Sequence, residues 1–456
     1  MQVNPGIFKA YDIRGMYPVD LNEEGAYAIG RAFVTFLKVD KVLVGRDMRT
    51  SGPQLFDAVT RGIMDQGADV VNIGMVSTDQ YYFACAQLKL PGMMVTASHN
   101  PKAYNGFKMV RQMPYLLSGD QGIQDLRRIV ETDAYALAAR KGSMSKVDLS
   151  EQFVDAVLGL IDANALTALS EHTGSPIRVV ADTGNGMVGP ILQRVYARLP
   201  VELVGLYFGP DGTLPNHGLD PLQPENRAEL EQRVVSEGAA AGFAFDGDGD
   251  RFFTIDDRGQ FVAGDYMTAL LGRYLLQKKP GSKIVYDVRA SWAVPELIRA
   301  AGGTPLMERV GHAFIKRRMA AEGALFGGEV TGHYYFQDFG YADSGIIPSL
   351  LVMEMLAKTG KKMSELLEPL EAKYFISGEI NTKVPDVKAK MAELAQRYSD
   401  GKIEHMDGVS VSYDTWHFNV RGSNTEPLLR LNLESVASPA EMEQKRDEVL
   451  AIIRAA

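Results

Sequence analysis

The chain has 456 residues, of which 46% are hydrophobic and 23% charged, and its 48 basic and 57 acidic side chains give a net charge of −9. This composition is typical of a globular protein with several domains, each able to bury its own core, and the acidic balance argues against a nucleic-acid or membrane-surface partner. The single cysteine, Cys85, excludes a disulfide framework and any metal site built from several cysteines, and it fits a reducing compartment.

The first fifteen residues do not have the pattern of a signal peptide. They alternate polar and apolar residues and already hold Lys9, Asp12 and Arg14. The apolar runs elsewhere, such as residues 353–357, fall far short of the ~20 residues that a membrane span requires. We therefore expect a cytoplasmic protein.

A strand that leads into a helix recurs three times along the chain. Each time, a short β-branched run is followed by an aspartate and then by a helical stretch, which is how a βαβ crossover unit begins. The three runs are Lys41–Val44, Ile177–Ala181 and Lys283–Tyr286, and the three aspartates are Asp47, Asp182 and Asp287. The second strands of the units are predicted at residues 68–73, 201–207 and 304–308.

Every repeat then has a third apolar stretch that stops at a polar loop. The three stretches are Gly92–Thr96, Ala241–Phe245 and Gly323–Phe326, and the loops cover residues 97–101, 246–251 and 328–333. Ligands of open α/β sheets bind at loops that follow the carboxyl ends of strands. Three equivalent loops are therefore expected to converge on one central cleft.

The C-terminal segment breaks this pattern. It has alternating residues at Gly408–Tyr413 and Trp416–Arg421, a strand at Leu428–Glu434 and a helical tail from Pro439, which indicates a smaller α+β domain with an antiparallel sheet. The predicted fold class is α/β, with three related mixed α/β domains built from βαβ units plus this C-terminal domain. The predicted domains are residues 1–145, 146–250, 251–362 and 363–456.

Asp246, Asp248 and Asp250 alternate with two glycines in the second loop. Three carboxylates this close repel one another unless a cation neutralises them, and the glycines let the backbone curl so that all three face one point. Oxygen ligands without His or Cys favour Mg²⁺. The alternatives are a solvated turn or a calcium loop, but an EF-hand needs Glu at its twelfth position, where this chain has Asp257.

Ser98 ends a strand in the first loop, next to His99 and an Asn-Pro turn. A serine hydrolase would surround its nucleophile with G-x-S-x-G, and residues 96–98 lack that pattern. A serine that carries phosphate is the other covalent role, since its phosphate oxygens could face a metal and basic groups.

Two further loops carry groups that suit a phosphosugar. The loop Arg421–Thr425 offers a guanidinium, two hydroxyls, an amide and backbone N–H groups, although a hairpin loop of small polar residues would look similar. In the loop 328–333, Glu329, Thr331 and His333 could hydrogen-bond sugar hydroxyls, although a lone histidine is more often structural.

A rival motif lies at Gly184–Gly189, which matches the G-x-G-x-x-G dinucleotide fingerprint, with Asp211 about twenty residues further on. The matching strand ends of the first and third repeats lack these glycines. A nicotinamide enzyme would also leave the three aspartates without a role. A tight βα turn is the favoured interpretation.

Taken together and in this order, the four loops resemble the α-D-phosphohexomutase superfamily, and most closely its bacterial phosphomannomutase/phosphoglucomutase branch. The resemblance covers essentially the whole chain. The segments that carry it are Phe8–Gly15, Thr96–Pro101, Asn105–Lys108, Asp246–Arg251, Gly311–His312, Gly328–His333 and Arg421–Pro427. Their ordered set is far more specific than any one of them.

The resemblance implies a Mg²⁺-dependent isomerase that interconverts hexose 1-phosphate and hexose 6-phosphate. In that family the serine matching Ser98 is phosphorylated, and the three aspartates hold Mg²⁺ together with the phosphoserine. Phospho-Ser98 would give its phosphoryl group to the free hydroxyl of the substrate. The resulting hexose 1,6-bisphosphate would turn over without leaving and return its other phosphate to Ser98, while Arg251 and Lys108 stabilise charge.

The resemblance also assigns the other site residues. Four would hold the phosphate that does not react: Arg421, Ser423, Asn424 and Thr425. The sugar readers would be Glu329, Thr331 and His333, and the further substrate-binding residues Tyr11, Lys283, Gly311 and His312. The candidates for general acid and base are His333, Lys108 and Arg14, with His333 preferred, whereas His99 is expected to support the phosphoserine.

One position departs from the family, which usually has Ser where this chain has Thr331. The added methyl group stiffens χ1 and could shift the sugar preference. The sequence does not separate glucose from mannose, because both epimers present the same phosphates, and a glucosamine phosphate fits less well. Two alternatives stay open: a nicotinamide-dependent oxidoreductase that uses Gly184–Gly189, and a catalytically inactive phosphosugar-binding module.

Overall fold

The structure, a computed structural model, describes residues 3–422 and 428–455. The chain forms two compact units. Unit 1 consists of Met1–Val262 and Thr331–Met363, and unit 2 of Ala263–Val330 and Ser364–Ala456. Among the described residues no single helix is long and apolar enough to cross a membrane, and one bent helix pair, Ser150–Leu158 with Ala163–Thr173, meets the criteria by length and composition alone.

The first part of unit 1 is an α/β sheet with helices. Its elements are β1 (Ile13–Met16), α1 (Glu23–Leu37), β2 (Lys41–Arg46), α2 (Gly52–Asp65), β3 (Asp69–Met75), α3 (Thr78–Leu88), β4 (Gly92–Val95), β5 (Tyr104–Gln112), β6 (Tyr115–Leu116), α4 (Ile123–Thr132) and β7 (Met144–Lys146). The strand order is β1-β5-β4-β2-β3-β7, with β6 on β5. Strands β4, β2, β3 and β7 run parallel, whereas β5 is antiparallel to β1 and β4.

Helices α1 and α2 pack closely over this sheet. A Cβ atom at Gly62 would lie 2.2 Å from the Tyr27 carbonyl oxygen, and one at Gly30 would lie 2.4 Å from that of Val59. The two glycines therefore let the helix backbones approach and bury apolar residues such as Phe33.

The second part of unit 1 repeats the βαβ design. Its elements are α5 (Ser150–Leu158), α6 (Ala163–Thr173), β8 (Ile177–Asp182), α7 (Val188–Tyr196), β9 (Val201–Leu206), α8 (Ala228–Ser236), β10 (Ala241–Phe245), β11 (Phe252–Ile255) and β12 (Phe261–Val262). The order is β12-β11-β10-β8-β9, in which β10, β8 and β9 are parallel. Strand β10 leads straight into Asp246 and so places the predicted metal loop at the carboxyl edge of the sheet.

Unit 2 begins with a third βαβ arrangement. Its elements are α9 (Gly264–Lys278), β13 (Lys283–Asp287), α10 (Ala293–Ala300), β14 (Thr304–Glu308), α11 (His312–Glu322) and β15 (Phe326–Gly328), with β14 and β15 both parallel to β13. The chain then returns to unit 1 with the antiparallel pair β16 (Tyr334–Phe336) and β17 (Ala342–Asp343), followed by the buried helix α12 (Ile346–Thr359).

The C-terminal part of unit 2 is an antiparallel sheet with helices. Its elements are α13 (Met363–Glu371), β18 (Phe375–Ile376), β19 (Ile380–Lys383), α14 (Val387–Arg397), β20 (Lys402–Glu404), β21 (Val409–Ser412), β22 (Trp416–Gly422), β23 (Leu428–Ser435) and α15 (Pro439–Arg454). The strand order is β18-β23-β22-β21-β20, with β19 also paired to β23. Aromatic and aliphatic side chains, including Trp416 and Phe418, form its core.

The predicted fold class is confirmed: three mixed α/β segments precede a C-terminal α+β segment. One strand differs from its prediction, since β15 begins at Phe326 instead of ending there. Helix α11 runs to Glu322, and Gly323 follows it with a φ of 62°, so the strand starts later. The domain boundaries at 145, 250 and 362 stay predictions.

Candidate active site

The serine loop, residues 97–104, connects β4 to β5 and presents Ser98 in an unusual backbone conformation. The φ of Ser98 is +50°, in the left-handed region that L residues rarely adopt. Its main-chain N–H donates to Thr96 Oγ1 at 2.9 Å, and its hydroxyl donates to Asp246 Oδ2 at 2.7 Å. The structure thus joins the predicted serine directly to the predicted aspartate loop.

The three aspartates predicted as metal ligands come together. One carboxylate oxygen from each of Asp246, Asp248 and Asp250 lies within 4.8 Å of the others, and all three side chains are buried. Oδ1 of Asp246 accepts the main-chain N–H groups of Gly249 and Arg251, so the glycine-containing turn wraps around this carboxylate.

Lys108 supplies positive charge to this cluster. Its Nζ lies 2.8 Å from Asp248 Oδ2 and hydrogen-bonds Asp250. Burial alone would lower the pKa of Lys108, but the carboxylates raise it above its usual value, so the ammonium group stays protonated. Burial and the neighbouring carboxylates together raise the pKa of Asp246 to about 7.

The donor set of the cluster fits a hard divalent cation. Oδ1 of Asp248 and Oδ1 of Asp250 are buried and have no hydrogen-bond partner among the described residues. A buried carboxylate oxygen without a partner carries a large desolvation cost, and a cation bound to it would remove that cost. The carboxylates offer oxygen atoms only, as Mg²⁺ prefers.

Thr78, at the start of α3, was not identified from the sequence. Its hydroxyl donates to Asp248 Oδ2 at 2.6 Å and its main-chain N–H donates to the Asp248 carbonyl oxygen at 2.7 Å. Thr96 donates to the same carboxylate oxygen at 3.2 Å. The one available signal was the helix start at Ser77–Thr78, which by itself predicts only a cap.

His333 lies among charged groups of unit 1. Arg251 Nε donates to His333 Nε2 at 3.0 Å, and His333 Nδ1 lies 2.9 Å from Asp343 Oδ2. Because an arginine only donates, Nε2 carries a lone pair in this arrangement and the ring proton is on Nδ1. Burial opposes the imidazolium form, but Asp250 and Asp343 outweigh it and raise the pKa of His333.

The other predicted catalytic residues flank the serine loop. His99 Nδ1 lies 3.1 Å from Ser98 Oγ, and burial together with the charge of Arg251 lowers the pKa of His99 well below its usual value. Arg14, on β1, donates to the Asn100 side chain at 2.6 Å and pairs with Asp12. His99 is therefore a neutral neighbour of the serine hydroxyl.

Several predicted substrate-binding residues lie in unit 2. Glu329 is buried and its carboxylate accepts the main-chain N–H of Gly311 at 3.2 Å, next to His312 at the start of α11. Lys283 begins β13 and pairs with Glu322 at 2.8 Å. It thus lies at the other end of the strand from Asp287, and the structure does not bring it to the Glu329 loop.

The carboxyl end of β13 carries a residue pair that the sequence analysis did not assign. Arg289 is fully buried and hydrogen-bonds both carboxylate oxygens of Asp287, which also accepts the Val330 N–H at 2.9 Å. Arg289 Nη2 lies 3.8 Å from Glu329. The signal for this pair was the Asp-x-Arg sequence at 287–289.

Arg421 lies in a cluster of arginines within unit 2. Glu379 accepts hydrogen bonds from Arg289 at 3.1 Å and from Arg430 at 3.0 Å, and Arg421 is paired with Arg430 across β22 and β23. Burial lowers the pKa of Arg421, and the charge of Arg289 lowers it further. The rest of the predicted phosphate loop, Ser423, Asn424 and Thr425, lies outside the described residues.

The remaining two predicted residues lie in unit 1. Tyr11 is half-buried and precedes β1 by two residues, and Thr331 precedes His333 by two. The substrate-binding roles of these two residues stay predictions.

The glycines of the rival motif face the protein's own chain. A Cβ atom at Gly189 would lie 2.2 Å from the Phe208 carbonyl oxygen, and one at Gly186 would lie 2.7 Å from that of Gly247. The Met187 N–H donates to the Gly247 carbonyl oxygen at 2.9 Å. The close approach that these two glycines permit is therefore used within the fold, as a tight βα turn requires.

Comparison with known proteins matches nearly the whole chain to one family. Four family models match in order: phosphoglucomutase/phosphomannomutase α/β/α domain I at residues 5–136, domain II at 151–259, domain III at 263–374, and the C-terminal domain at 379–452. The chain belongs to the phosphoglucomutase/phosphomannomutase family. It is a phosphohexomutase, an isomerase that transfers a phosphoryl group between positions of a hexose.

Full-length relatives in this family are closely similar. Phosphomannomutase of Escherichia coli strain K12 and that of Salmonella typhimurium strain LT2 are each 41% identical to the chain, with 98% of both chains covered. A phosphoglucomutase/phosphomannomutase family protein of Burkholderia thailandensis has a crystal structure that superposes with a TM-score of 0.89 at 35% identity, covering 99% of this chain and 98% of that chain.

Proposed function

We propose that Ser98 carries the phosphoryl group in a phosphohexomutase reaction, and that its phosphate moves to and from a hexose phosphate. The observation that supports this most directly is the 2.7 Å hydrogen bond from Ser98 to Asp246, within the cluster of three buried aspartates. A phosphate on Ser98 Oγ would lie next to the Asp246 carboxylate, which shares its cluster with Asp248 and Asp250.

Asp246, Asp248 and Asp250, with the phosphate on Ser98, would hold Mg²⁺. When bound, the ion would neutralise part of the charge on the phosphoryl oxygens. Lys108, which is buried, and Arg251, whose side chain is 14% exposed, add positive charge beside the aspartates.

The chemical step exchanges one P–O bond for another. The free hydroxyl of the sugar attacks phosphorus, the bond from phosphorus to Ser98 Oγ breaks, and the phosphoryl group ends on the sugar as a hexose 1,6-bisphosphate. His333 takes the hydroxyl proton on Nε2 when the sugar hydroxyl replaces the Arg251 N–H as the donor to that nitrogen, and Lys108 is the protonated group that can return one to Ser98 Oγ. The reverse transfer from the other phosphate restores phospho-Ser98.

The sugar is a hexose phosphate of the mannose or glucose type. Curated relatives at 41% identity are named phosphomannomutases, and two of Xanthomonas campestris at 40% and 39% identity are named phosphohexose mutases. Within unit 2, Glu329 and the arginine cluster of Arg289, Arg421 and Arg430 have the chemistry to bind sugar hydroxyls and phosphate.

A coupled mutase assay tests this proposal. With Mg²⁺ and a trace of glucose 1,6-bisphosphate, we expect conversion of glucose 1-phosphate or mannose 1-phosphate to the 6-phosphate, and little of glucosamine 1-phosphate. The ratio of the kcat/KM values identifies the preferred sugar.

The Ser98→Ala variant tests the phosphoryl carrier. We expect turnover to fall by about 10³-fold or more with the fold intact, because the group that accepts phosphate is gone. Ser236→Ala, at an exposed position of α8, should keep wild-type turnover. Mass spectrometry should locate phosphate on Ser98 after incubation with the bisphosphate. Mutase rates close to wild type in Ser98→Ala would refute the proposal.

A further inference from the structure

The serine loop directs four main-chain carbonyl oxygens toward one buried arginine, Arg49. Its Nη2 donates to the carbonyl oxygens of Ser98 at 2.8 Å and Asn100 at 2.6 Å, and its Nη1 donates to those of Pro101 and Tyr104 at 2.9 Å each. The Arg49 side chain is only 2% exposed. Buried carbonyl groups require donors, and in this loop one side chain supplies all four bonds.

The backbone of the sheet fixes Arg49 in turn. Its main-chain N–H donates to Asp47 Oδ1 at 2.9 Å, and its Nε lies 3.3 Å from Asp47 Oδ2. Asp47 follows β2, and its own N–H donates to the Val95 carbonyl oxygen at the end of β4. The guanidinium is therefore tied to two neighbouring strands, and through its four bonds it ties the serine loop to the same strands.

Arg49 contacts the loop from the side away from the reacting atom. All four of its bonds to the loop go to carbonyl oxygens, whereas Ser98 Oγ points to Asp246 and His99. The loop also holds Ser98 at a φ of +50°, a conformation that a free chain would leave readily. A support that fixes the carbonyl group of Ser98 and three carbonyl groups that follow it keeps the Ser98 hydroxyl aimed at the aspartates.

We infer that Arg49 is a positioning residue for phosphoryl transfer: by binding four carbonyl oxygens of the serine loop, it holds Ser98 Oγ where its phosphate can react. This inference rests on the proposed role of Ser98. The Arg49 side chain bonds to the four carbonyl oxygens of the loop and pairs with Asp47, so it acts through the loop. Its effect is on the rate of transfer and not on the affinity for the phosphosugar.

The role requires a guanidinium and not only a positive charge. Arginine presents five N–H donors in a fixed plane, and two of its nitrogens reach two carbonyls each. A lysine at this position keeps the charge but has one nitrogen with three donors, so it cannot satisfy four separated carbonyls. Arg49→Lys therefore removes the geometry and keeps the charge.

The first test is the steady-state kinetics of Arg49→Lys. We expect kcat to fall by about 10²-fold, because a misplacement of about 1 Å is enough for such a loss, while KM for glucose 1-phosphate stays within about twofold of wild type. Arg128→Lys is the matched control, since Arg128 is 73% exposed on α4 of the same unit. It should behave as wild type.

The second test is hydrogen–deuterium exchange of the same variants. In Arg49→Lys we expect faster exchange in the peptide that contains the serine loop, and unchanged exchange in peptides from α1 and α4. Asp47→Asn is a milder variant that loosens Arg49 without removing it. It should show the same two changes to a smaller degree, and it decides the question if Arg49→Lys does not fold.

The outcomes separate this inference from the proposed function. A folded Arg49→Lys enzyme with wild-type kcat, or one with a raised KM and unchanged kcat, overturns the positioning role. Unchanged exchange in the serine loop overturns it as well. An inactive wild-type enzyme would instead refute the proposed function, and the exchange experiment would still show whether Arg49 fixes the loop.

Discussion

Ser98 adopts a backbone conformation that costs roughly 1 kcal/mol for a residue with a Cβ atom. It persists because its neighbours determine it from several directions: Thr96 accepts its N–H, and Arg49 binds its carbonyl group. The result is a hydroxyl that points into the acidic cluster instead of back along β4. At this scale, catalysis depends on the direction in which a few atoms are held.

Asp343 holds the ring of His333 in place, as Thr96 and Arg49 hold Ser98. A substitution of Asp343 is therefore expected to affect catalysis. The carboxylate lies 2.9 Å from Nδ1 and keeps the ring proton there, so Nε2 is the nitrogen that accepts, now from Arg251 and in the proposed reaction from the sugar hydroxyl. We expect Asp343→Asn to lower kcat by about 10²-fold with KM little changed, because an amide does not stabilise the imidazolium that forms when Nε2 takes a proton.

Kinetics of Asp343→Asn and of Asp338→Asn, measured together, check this expectation. Asp338 is exposed in the same β16–β17 connection, so its amide variant makes an identical chemical change away from the histidine. It should retain wild-type kcat. Equal losses in both variants would point to a general effect on the hairpin, and no loss in Asp343→Asn would remove Asp343 from the mechanism.

Three strand ends of the βαβ elements each place a buried aspartate beside a cationic side chain. Asp47 pairs with Arg49 and Asp287 with Arg289, two residues further along the chain in both cases. In the second repeat the chain has Gly184 at that position, and a histidine from a distant loop, His217, lies against Asp182 instead.

His217 connects the long loop between β9 and α8 to the end of β8 through its contact with Asp182. Its Nε2 lies 3.1 Å from Asp182 and its Nδ1 lies 2.7 Å from the Gly218 carbonyl oxygen, and Glu229 adds negative charge nearby. Both ring nitrogens thus face acceptors, which suits the doubly protonated imidazolium. Burial opposes this form, but the hydrogen bond and charge of Asp182 outweigh it and raise the pKa of His217.

The sign of the resulting pH dependence follows from linkage. A histidine whose pKa is higher in the folded protein adds stability that is fully present below its unfolded pKa and is lost as the pH rises through its folded pKa. We expect His217→Gln to lower the free energy of unfolding by on the order of 1 kcal/mol at about pH 5.5 and by much less at about pH 8.5.

Urea denaturation of wild type and His217→Gln at both pH values measures this difference. His172→Gln is the control, because His172 is exposed in the last turn of α6. Its stability should follow that of wild type at both pH values. A difference between His217→Gln and wild type that grows with rising pH would contradict the imidazolium contact.

These strand ends also show what the sequence could and could not predict. The aspartates at 47, 182 and 287, and the loops beginning at 97 and 246, follow from local patterns, because hydrophobic runs and polar stops mark the ends of strands. The residues that these aspartates contact do not follow from local patterns. Asp182 meets a histidine 35 residues away, and Asp248 meets Thr78 across 170 residues, so these contacts exist only once the sheets have packed.

The same limit explains the site residues that were missed. The substrate-binding role of Lys283 stays a prediction, and the sequence analysis did not single out Arg289, the buried cation at the carboxyl end of the same strand. Arg49 was passed over because a lone arginine after a strand carries no motif of its own. The role of Arg49 can be inferred only from its four carbonyl partners, and these lie about fifty residues further along the chain.

At the scale of the whole molecule, the proposed metal ligands lie in one compact unit and both tryptophans lie in the other. Asp246, Asp248 and Asp250 belong to unit 1, whereas Trp292 and Trp416 belong to unit 2. Each unit has its own buried core. Unfolding of such a chain is not expected to be two-state, and tryptophan fluorescence reports on unit 2 alone.

Magnesium should therefore stabilise one part of the molecule selectively. A ligand that binds only the folded state stabilises it by about 2.7 kcal/mol at a hundredfold excess over its Kd, which for a unit of this size raises Tm by a few degrees. We expect Mg²⁺ to raise the Tm of the unit 1 transition when unfolding is followed by far-UV circular dichroism. The Tm measured by tryptophan fluorescence, which reports on unit 2, should stay unchanged.

Two variants make this expectation specific to the aspartate cluster. Asp248→Asn should abolish the shift, because it replaces a carboxylate whose Oδ1 has no other partner among the described residues. Asp257→Asn should keep it, since this residue would contribute only if the loop were an EF-hand. A shift that survives in Asp248→Asn, or that is lost in Asp257→Asn, would place the ion elsewhere. A shift confined to the fluorescence melt would place it in unit 2.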